Sequence, residues 1–324
     1  MTTGLAAQRT VKDFPWQERS ARHLLSLTEI GPEDLSMLVH RALEFATHGV
    51  AMPQLAGKVI GIYFKRTSTR TRTAFTVGAI KLGATPIAYG PSDLQICTGE
   101  TIEDTARVLA GYLDALVIRT NEAIDEMRAF ASQNDMAIIN AMSDTEHPTQ
   151  AIADLVTIKE VFGRLHDVDV LYVGEGNNTA SALAFAVALT PGMRLTLLTP
   201  EGYGLQSSLL ETARGLQNGS VVEQHHDIAR LQRKFDVIYT TRWQTMGEAK
   251  TDNNWKEKFK PYGVTQELMQ RFSKNERTVF MHDLPAVRGD DVVDEVLDGS
   301  QSVAFRQARH KLTSAMAVLT WCLA

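Results

Sequence analysis

The sequence predicts two α/β domains, each a doubly wound parallel sheet, joined by helices. Three observations carry that expectation. Short apolar runs of strand length alternate with helix-spaced patterns along almost the whole chain, as βαβ units require. The chain has 324 residues, more than a single core ordinarily serves. Between the halves, residues 149–162 form a breaker-poor, helix-spaced stretch that stops at Gly163, which reads as a linking helix. The boundary falls near residue 150, giving one domain over 1–150, a second over 151–302, and a closing helix over 303–324.

In order, the first half offers strands at 59–64, 85–89, 115–118 and 137–140, each a β-branched or apolar run bounded by polar or turn residues. The second half offers strands at 169–173, 194–198, 237–239 and 278–281. Helices are expected between them at 73–82, 102–111, 123–132 and 179–189, where apolar residues recur at three- and four-residue spacing. The closing helix follows the turn at Gly299-Ser300 and has an apolar face that needs a partner. No internal repeat or low-complexity tract interrupts this pattern.

Composition narrows the function classes. A hydrophobic fraction of 44% with 22% charged residues is that of a soluble globular protein. The net charge of −5 gives no general attraction to nucleic acid or to an anionic membrane. Only Cys97 and Cys322 are present, too few for a disulfide framework or a thiolate metal cluster. The first residues lack the basic start and apolar core of a signal peptide, and no apolar run is long enough to span a bilayer. A cytoplasmic protein without metal or cofactor is expected.

Chemistry concentrates where predicted strands end. Ser68-Thr69-Arg70-Thr71-Arg72 follows the strand at 59–64 and precedes a helix. Free N–H groups and the positive end of a helix dipole at such a junction make an anion site. Three hydroxyls and two guanidiniums in five residues exceed what a helix cap needs. Arg119 follows the strand at 115–118, and His147-Pro148-Thr149-Gln150 opens the linking helix. In the second half, Thr240-Thr241-Arg242-Trp243-Gln244-Thr245-Met246-Gly247-Glu248 and His282-Asp283-Leu284-Pro285-Ala286-Val287-Arg288-Gly289 each follow a strand. Open α/β sheets bind ligands at such ends, so these segments point to a cleft between domains.

Taken together, these motifs resemble the aspartate/ornithine carbamoyltransferases over nearly the whole chain. The resemblance rests on FKRTSTRTR at 64–72, DTARVL at 104–109, HPTQ at 147–150 and FMHDLPAVRG at 280–289. GPSDLQI at 90–96, VGEGNN at 173–178 and MGE at 246–248 lean towards the ornithine branch. The resemblance implies that an amine attacks the carbonyl carbon of carbamoyl phosphate and that phosphate then leaves. It implies a phosphate site at Ser68, Thr69, Arg70 and Thr71, and a carbamoyl site at Arg119, His147 and Gln150. Arg70, Arg119 and His147 form the expected catalytic set. The Leu284 backbone would take the carbamoyl NH₂, Lys311 would supply charge from the closing helix, and Gln95 would reach a neighbouring subunit of a homotrimer. The closing helix should return to the first, carbamoyl-phosphate-binding domain; the second domain would bind the amine acceptor. The attacking amine, with a pKa of about 10 when free, must lose its proton. Desolvation on domain closure and transfer to the departing phosphate are the expected route.

Three departures mark the acceptor side. Thr241 stands where the ornithine branch has the aspartate that holds the substrate's α-ammonium. The run Thr241-Arg242-Trp243-Gln244 instead resembles the aspartate branch, in which the arginine and glutamine face substrate carboxylates. Alternatively, Arg242 stacks on Trp243 at the surface. Asp283 replaces the cysteine of His-Cys-Leu-Pro and would repel an acidic substrate while attracting an ammonium. Lys311 stands where the ornithine branch usually places an arginine, keeping the charge without the fork, unless Arg309 substitutes. Asn178, Thr245 and Met246 complete the candidate acceptor contacts. An acceptor carrying both carboxylate and amino groups is expected, such as 2,3-diaminopropionate, with ornithine itself and a non-catalytic carbamoyl-phosphate-binding scaffold as alternatives. A nucleotide-binding oxidoreductase is a further rival, because Gly174-Glu175-Gly176-Asn177-Asn178 is half of a dinucleotide turn and Glu201 lies downstream. The third glycine is missing, with Ala180 the nearest small residue.

Overall fold

The computed structural model describes residues 21–244 and 250–323. The first sheet contains β1 (Val59–Phe64), β2 (Thr85–Tyr89), β3 (Ala115–Arg119) and β4 (Ala137–Met142). All pairings are parallel, in the order β2-β1-β3-β4. The second holds β5 (Asp169–Val173), β6 (Arg194–Leu198), β7 (Val221–His225), β8 (Val237–Thr240) and β9 (Val279–His282), again parallel, in the order β7-β6-β5-β8-β9.

Each order reverses direction once, between β1 and β3 and between β5 and β8. At such a point the two neighbouring crossovers leave on opposite faces, so a crevice opens at the carboxyl ends of the strands. The helices α1 (Pro32–His48), α2 (Arg70–Lys81), α3 (Ile102–Ala110), α4 (Asp125–Phe130) and α5 (Pro148–Phe162) belong to the first half. The second half adds α6 (Asn178–Ala188), α7 (Ser207–Leu216), α8 (Trp255–Phe259), α9 (Gln266–Phe272), α10 (Asp294–Leu297) and α11 (Ala304–Leu323).

Parallel strands buried on both faces need near-continuous apolar runs, and β3, with burial at all five positions, meets that demand. One apolar core continues from the first sheet through α1, α5, α6 and α11 to the second. Separate clusters cover the outer faces of the two sheets. α5 lies at the centre, buried from Pro148 through Ile158. α11 packs on α5, α1 and α2, which returns the closing helix to the first domain. Gly78 permits the close crossing of α2 and α11: a Cβ there would stand 3.2 Å from Met316 Cγ.

The observed elements differ from the sequence reading at their ends. α2 begins at Arg70, three residues before the expected start, so the hydroxyl-guanidinium cluster is partly the first helical turn. Arg119 is the last residue of β3, paired with Phe64 of β1, and Thr240 pairs with His282. Neighbouring strands supply partners that a local pattern does not reveal, and the strands extend to meet them. β7 was not expected: its pattern, with Val222 as the one fully buried position, is that of a short edge strand.

Candidate active site

The carboxyl ends of β1, β3, β5, β8 and β9 surround a cavity of about 220 Å³ between the two sheets. Its first-domain wall is cationic. Thr67, Ser68, Thr69, Arg70 and Thr71 line it at the start of α2. Thr69 caps that helix without a side-chain bond, leaving the first-turn N–H groups open, the arrangement that favours an anion.

Arg119 enters from β3 and is almost fully buried. Its Nη1 donates to Thr71 Oγ1 at 3.3 Å and lies 3.5 Å from His147 Nε2. The buried Nε has no partner among the described residues. Burial and the Arg70 charge lower the Arg119 pKa to about 10, which still leaves the guanidinium charged at neutral pH. His147, at the start of α5, is pushed well below the usual imidazole value by burial and by the Lys311 and Arg119 charges. It is therefore neutral, a donor or acceptor with no charge of its own.

The opposite wall comes from β8, β9 and the start of α6. Asp283 accepts hydrogen bonds from Thr179 Oγ1 (2.9 Å) and Thr241 Oγ1 (3.2 Å). Asn177 caps α6 through Oδ1, which also accepts the Tyr172 hydroxyl, while its Nδ2 donates to Thr241 Oγ1 at 3.3 Å. Burial opposes charge on Asp283, but the His282 ring, the Lys311 ammonium and the Thr179 hydroxyl outweigh it and hold the carboxyl below its usual range. The result is an ionised carboxylate facing Arg70, Arg119 and Lys311 across one cavity.

Leu284 follows with φ 54°, a left-handed conformation uncommon outside glycine. Its N–H donates to His282 Nδ1 at 2.8 Å, while His282 Nε2 lies 3.0 Å from Asp291 Oδ2. The same Asp291 carboxylate accepts the Val287 N–H. This clamp fixes the backbone that turns Asp283 and Leu284 into the cavity.

Arg242 and Gln244 also line the cavity. Arg242 makes no hydrogen bond or ion pair with another described residue. Trp243 is buried and packs on Phe259, ring centroids 5.4 Å apart. Arg242 and Trp243 thus point to different surroundings, and the surface-stacking alternative does not describe them.

Asn178 lines the cavity too, yet its side-chain amide donates to the Ser143 carbonyl at 2.8 Å and ties α6 to the His147 segment. Lys311 reaches the cavity from α11, whereas Arg309 is exposed and outside it. Gln150 stands one layer back: its Oε1 accepts the Lys311 ammonium and its Nε2 donates to Asp154 Oδ1 at 2.7 Å. Gln95 is exposed, outside the cavity, and bonded to Thr98. Thr245 and Met246 lie outside the described residues.

Sequence reasoning missed Thr67, Asn177, Thr179, Met142 and Pro285 in the cavity wall. Asn177 had a legible signal, since an Asn between a strand and a helix is a strong cap. Asp154 gave a faint one, its i,i+4 spacing from Gln150; its other partners, Gln307 and Tyr239, arrive only with the tertiary fold.

Known proteins decide the family. The carbamoyl-phosphate-binding domain of the aspartate/ornithine carbamoyltransferases matches residues 22–160, and the aspartate/ornithine-binding domain matches residues 166–322. The chain belongs to the aspartate/ornithine carbamoyltransferase family. It is 38% identical to an ornithine carbamoyltransferase from Oceanobacillus iheyensis, with 96% of this chain and 97% of that protein covered. An ornithine carbamoyltransferase from Hyperthermus butylicus is also 38% identical, over 94% and 98% of the two chains. Among solved structures, the ornithine carbamoyltransferase from Pyrococcus furiosus superposes with a TM-score of 0.87 at 34% identity, covering 94% of this chain and 97% of that one. The protein is a carbamoyltransferase of the ornithine branch, and the half-formed dinucleotide turn at 174–178 belongs to that fold. Gly176 there is pressed on the next loop: a Cβ would stand 2.3 Å from Leu205 N.

Proposed function

We propose that this carbamoyltransferase moves the carbamoyl group of carbamoyl phosphate to one amine of a short diamino acid, releasing a ureido amino acid and phosphate. The observation that carries this reading is the two-signed cavity. Asp283, ionised and held by two threonine hydroxyls, faces Arg70 and Arg119, while Arg242 lines the same space without a partner among the described residues.

The cationic wall suits carbamoyl phosphate. Phosphate rests on Ser68, Thr69, Arg70, Thr71 and the open N-terminus of α2, and the carbonyl oxygen turns to Arg119 and neutral His147. The Leu284 backbone carbonyl accepts from the carbamoyl NH₂, with Gln150 supporting it through Lys311. As the amine attacks, charge grows on the carbonyl oxygen and then on the leaving phosphate. Donors already aimed at those oxygens lower the barrier by roughly 3–4 kcal/mol each. The acceptor's carboxylate pairs with Arg242 beside Gln244, and its second amino group, as an ammonium, sits on Asp283.

The relatives bear the name ornithine carbamoyltransferase, and one observation favours ornithine as a second reading. Thr241, which replaces the branch's ammonium-binding aspartate, lies 3.2 Å from Asp283, so the carboxylate has moved to the adjacent strand end and has not been lost. Mounting it on the β9 side, with Arg242 added opposite, favours an acceptor of different length. The assembly we infer is a homotrimer, supported by Gln95, which is exposed and outside its own cavity.

The test is ureido product formation from carbamoyl phosphate across ornithine, 2,4-diaminobutyrate, 2,3-diaminopropionate and aspartate, read by mass spectrometry. A short diamino acid should give the highest kcat/KM. Thr241→Asp combined with Asp283→Cys should move preference towards ornithine. Highest activity on ornithine in the wild type, or no shift in the double variant, would remove the short-acceptor reading.

A further inference from the structure

By its resemblance to the ornithine branch, which usually has an arginine there, position 311 would carry a cation that does not titrate. Here it is a lysine, which does. Its surroundings make that exchange consequential. Lys311 lines the cavity from α11, and its ammonium donates to Gln150 Oε1. The Gln150 amide cannot turn, because its Nε2 donates to Asp154 Oδ1 at 2.7 Å. Asp154 is itself fixed by Gln307 Nε2 at 2.7 Å and the Tyr239 hydroxyl at 3.1 Å. A carbonyl oxygen is therefore held permanently against Nζ. Such a partner accepts from –NH₂ as well as, more strongly, from –NH₃⁺, so a neutral Lys311 keeps a hydrogen bond in place and its lone pair is free for the cavity.

The charged groups around Nζ come from every side. Arg70 at the start of α2 and Arg119 at the end of β3 form the phosphate side; Asp283, after β9, forms the acceptor side. Asp154 stands behind on α5, with neutral His147 at that helix's start. α1 presents Asp34 to Trp321, ten residues further along α11. Lys311 thus lines the same cavity as both poles and feels the charge of each; in the proposed arrangement an amine bound on the Asp283 side meets a carbonyl carbon bound on the arginine side there.

We propose that Lys311 is a catalytic residue, the base that takes the proton from the attacking amine. The amine attacks in its neutral form; as the N–C bond forms, the neutral Nζ lone pair accepts one of its protons and the carbonyl π pair moves to the oxygen facing Arg119. The pair returns, the C–O bond to phosphate breaks, and phosphate departs with its electrons. The Lys311 ammonium then returns its proton to phosphate or solvent. Burial and the two guanidiniums, against the pull of Asp283 and Asp154, lower the Lys311 pKa to about 8, near where a base works best. The inference rests on the proposed function for the placement of the carbonyl carbon at the arginine wall and of the amine at the Asp283 wall, not for the identity of that amine.

The experiment measures kcat against pH for the wild type and Lys311→Arg, using whichever amine supports wild-type phosphate release, with carbamoyl phosphate affinity measured separately. Arginine keeps the charge but cannot act as base, so kcat should fall at least about 100-fold and the rising alkaline limb should vanish, with carbamoyl phosphate still bound. If the arginine variant folds poorly, Lys311→Cys in a Cys97→Ser background, alkylated with 2-bromoethylamine, restores an amine of lower pKa. Its limb should move to lower pH. Wild-type kcat and an unmoved limb in either variant would overturn the proposal and assign the proton to the departing phosphate. A wrong acceptor assignment would show instead as the identity of the amine that works.

Discussion

On the first-domain wall of the cavity the charged side chains are all cationic, whereas the second-domain wall carries both signs. The first wall is Ser68–Thr71, Arg119 and His147, and it coincides with the family's motifs. The second is Asp283 with its threonine partners, Thr179 and Thr241, together with Arg242. The difference separates two jobs. Stabilising charge on a carbamoyl oxygen and a phosphate is the same task whatever amine arrives. Reading the amine is not, and the residues that do so are free to change as long as each buried charge keeps a partner.

That division can be broken from the reaction side first. Arg70→Ala removes a guanidinium from the phosphate end and should lower kcat/KM by about 10³-fold or more for every acceptor alike. Turnover near wild type would show that the phosphate lies elsewhere. On the acceptor side, Asp283→Asn should raise the acceptor KM by about 10²-fold, the scale for losing one member of a buried charge pair. Carbamoyl phosphate affinity should hold or improve, since a negative charge opposite Arg70 and Arg119 is gone. Equal losses for both substrates would merge the two walls into one. Because the Asp283 pKa is lowered, wild-type acceptor affinity should stay flat as pH falls to the ordinary carboxylate range and drop only below it.

The smallest expected effect on activity concerns support for the first wall. Glu146 precedes His147 but turns away from the cavity, accepting the Leu27 N–H at 2.8 Å. Burial raises its pKa from 4.5 to about 7. The unfolded chain therefore gives up this proton first, and the residue's contribution to stability falls as pH rises from about 4.5 through 7. Glu146→Gln cannot ionise, so it should gain up to about 3 kcal/mol on the wild type above pH 7 and little at acid pH. Melting curves at pH 5 and pH 8 check this, and acceptor preference should not move.

Much of this was legible beforehand. The strand-to-helix junction at 68–72, the guanidinium at 119 and the HPTQ segment stand out because each sets polar groups directly after an apolar run, and parallel sheets place such ends together. β7 was illegible because an edge strand buries one face weakly and its alternation is faint. The early start of α2 was hidden because hydroxyl residues suit a cap and a first turn equally well.

The sequence by itself determined the alternation that builds two parallel sheets, the hydroxyl-guanidinium cluster at 68–72, and the presence of Thr241 and Asp283 after two strands. Tertiary structure decided how those residues meet. Thr241 and Asp283 are 42 residues apart and become hydrogen-bonded partners only because β8 and β9 pair in register. Lys311 meets Gln150, and Gln307 meets Asp154, only because α11 folds back across α5. Hydrophobic periodicity is a local property of a chain, but the field at a buried charge is a sum over neighbours that the fold alone brings within reach.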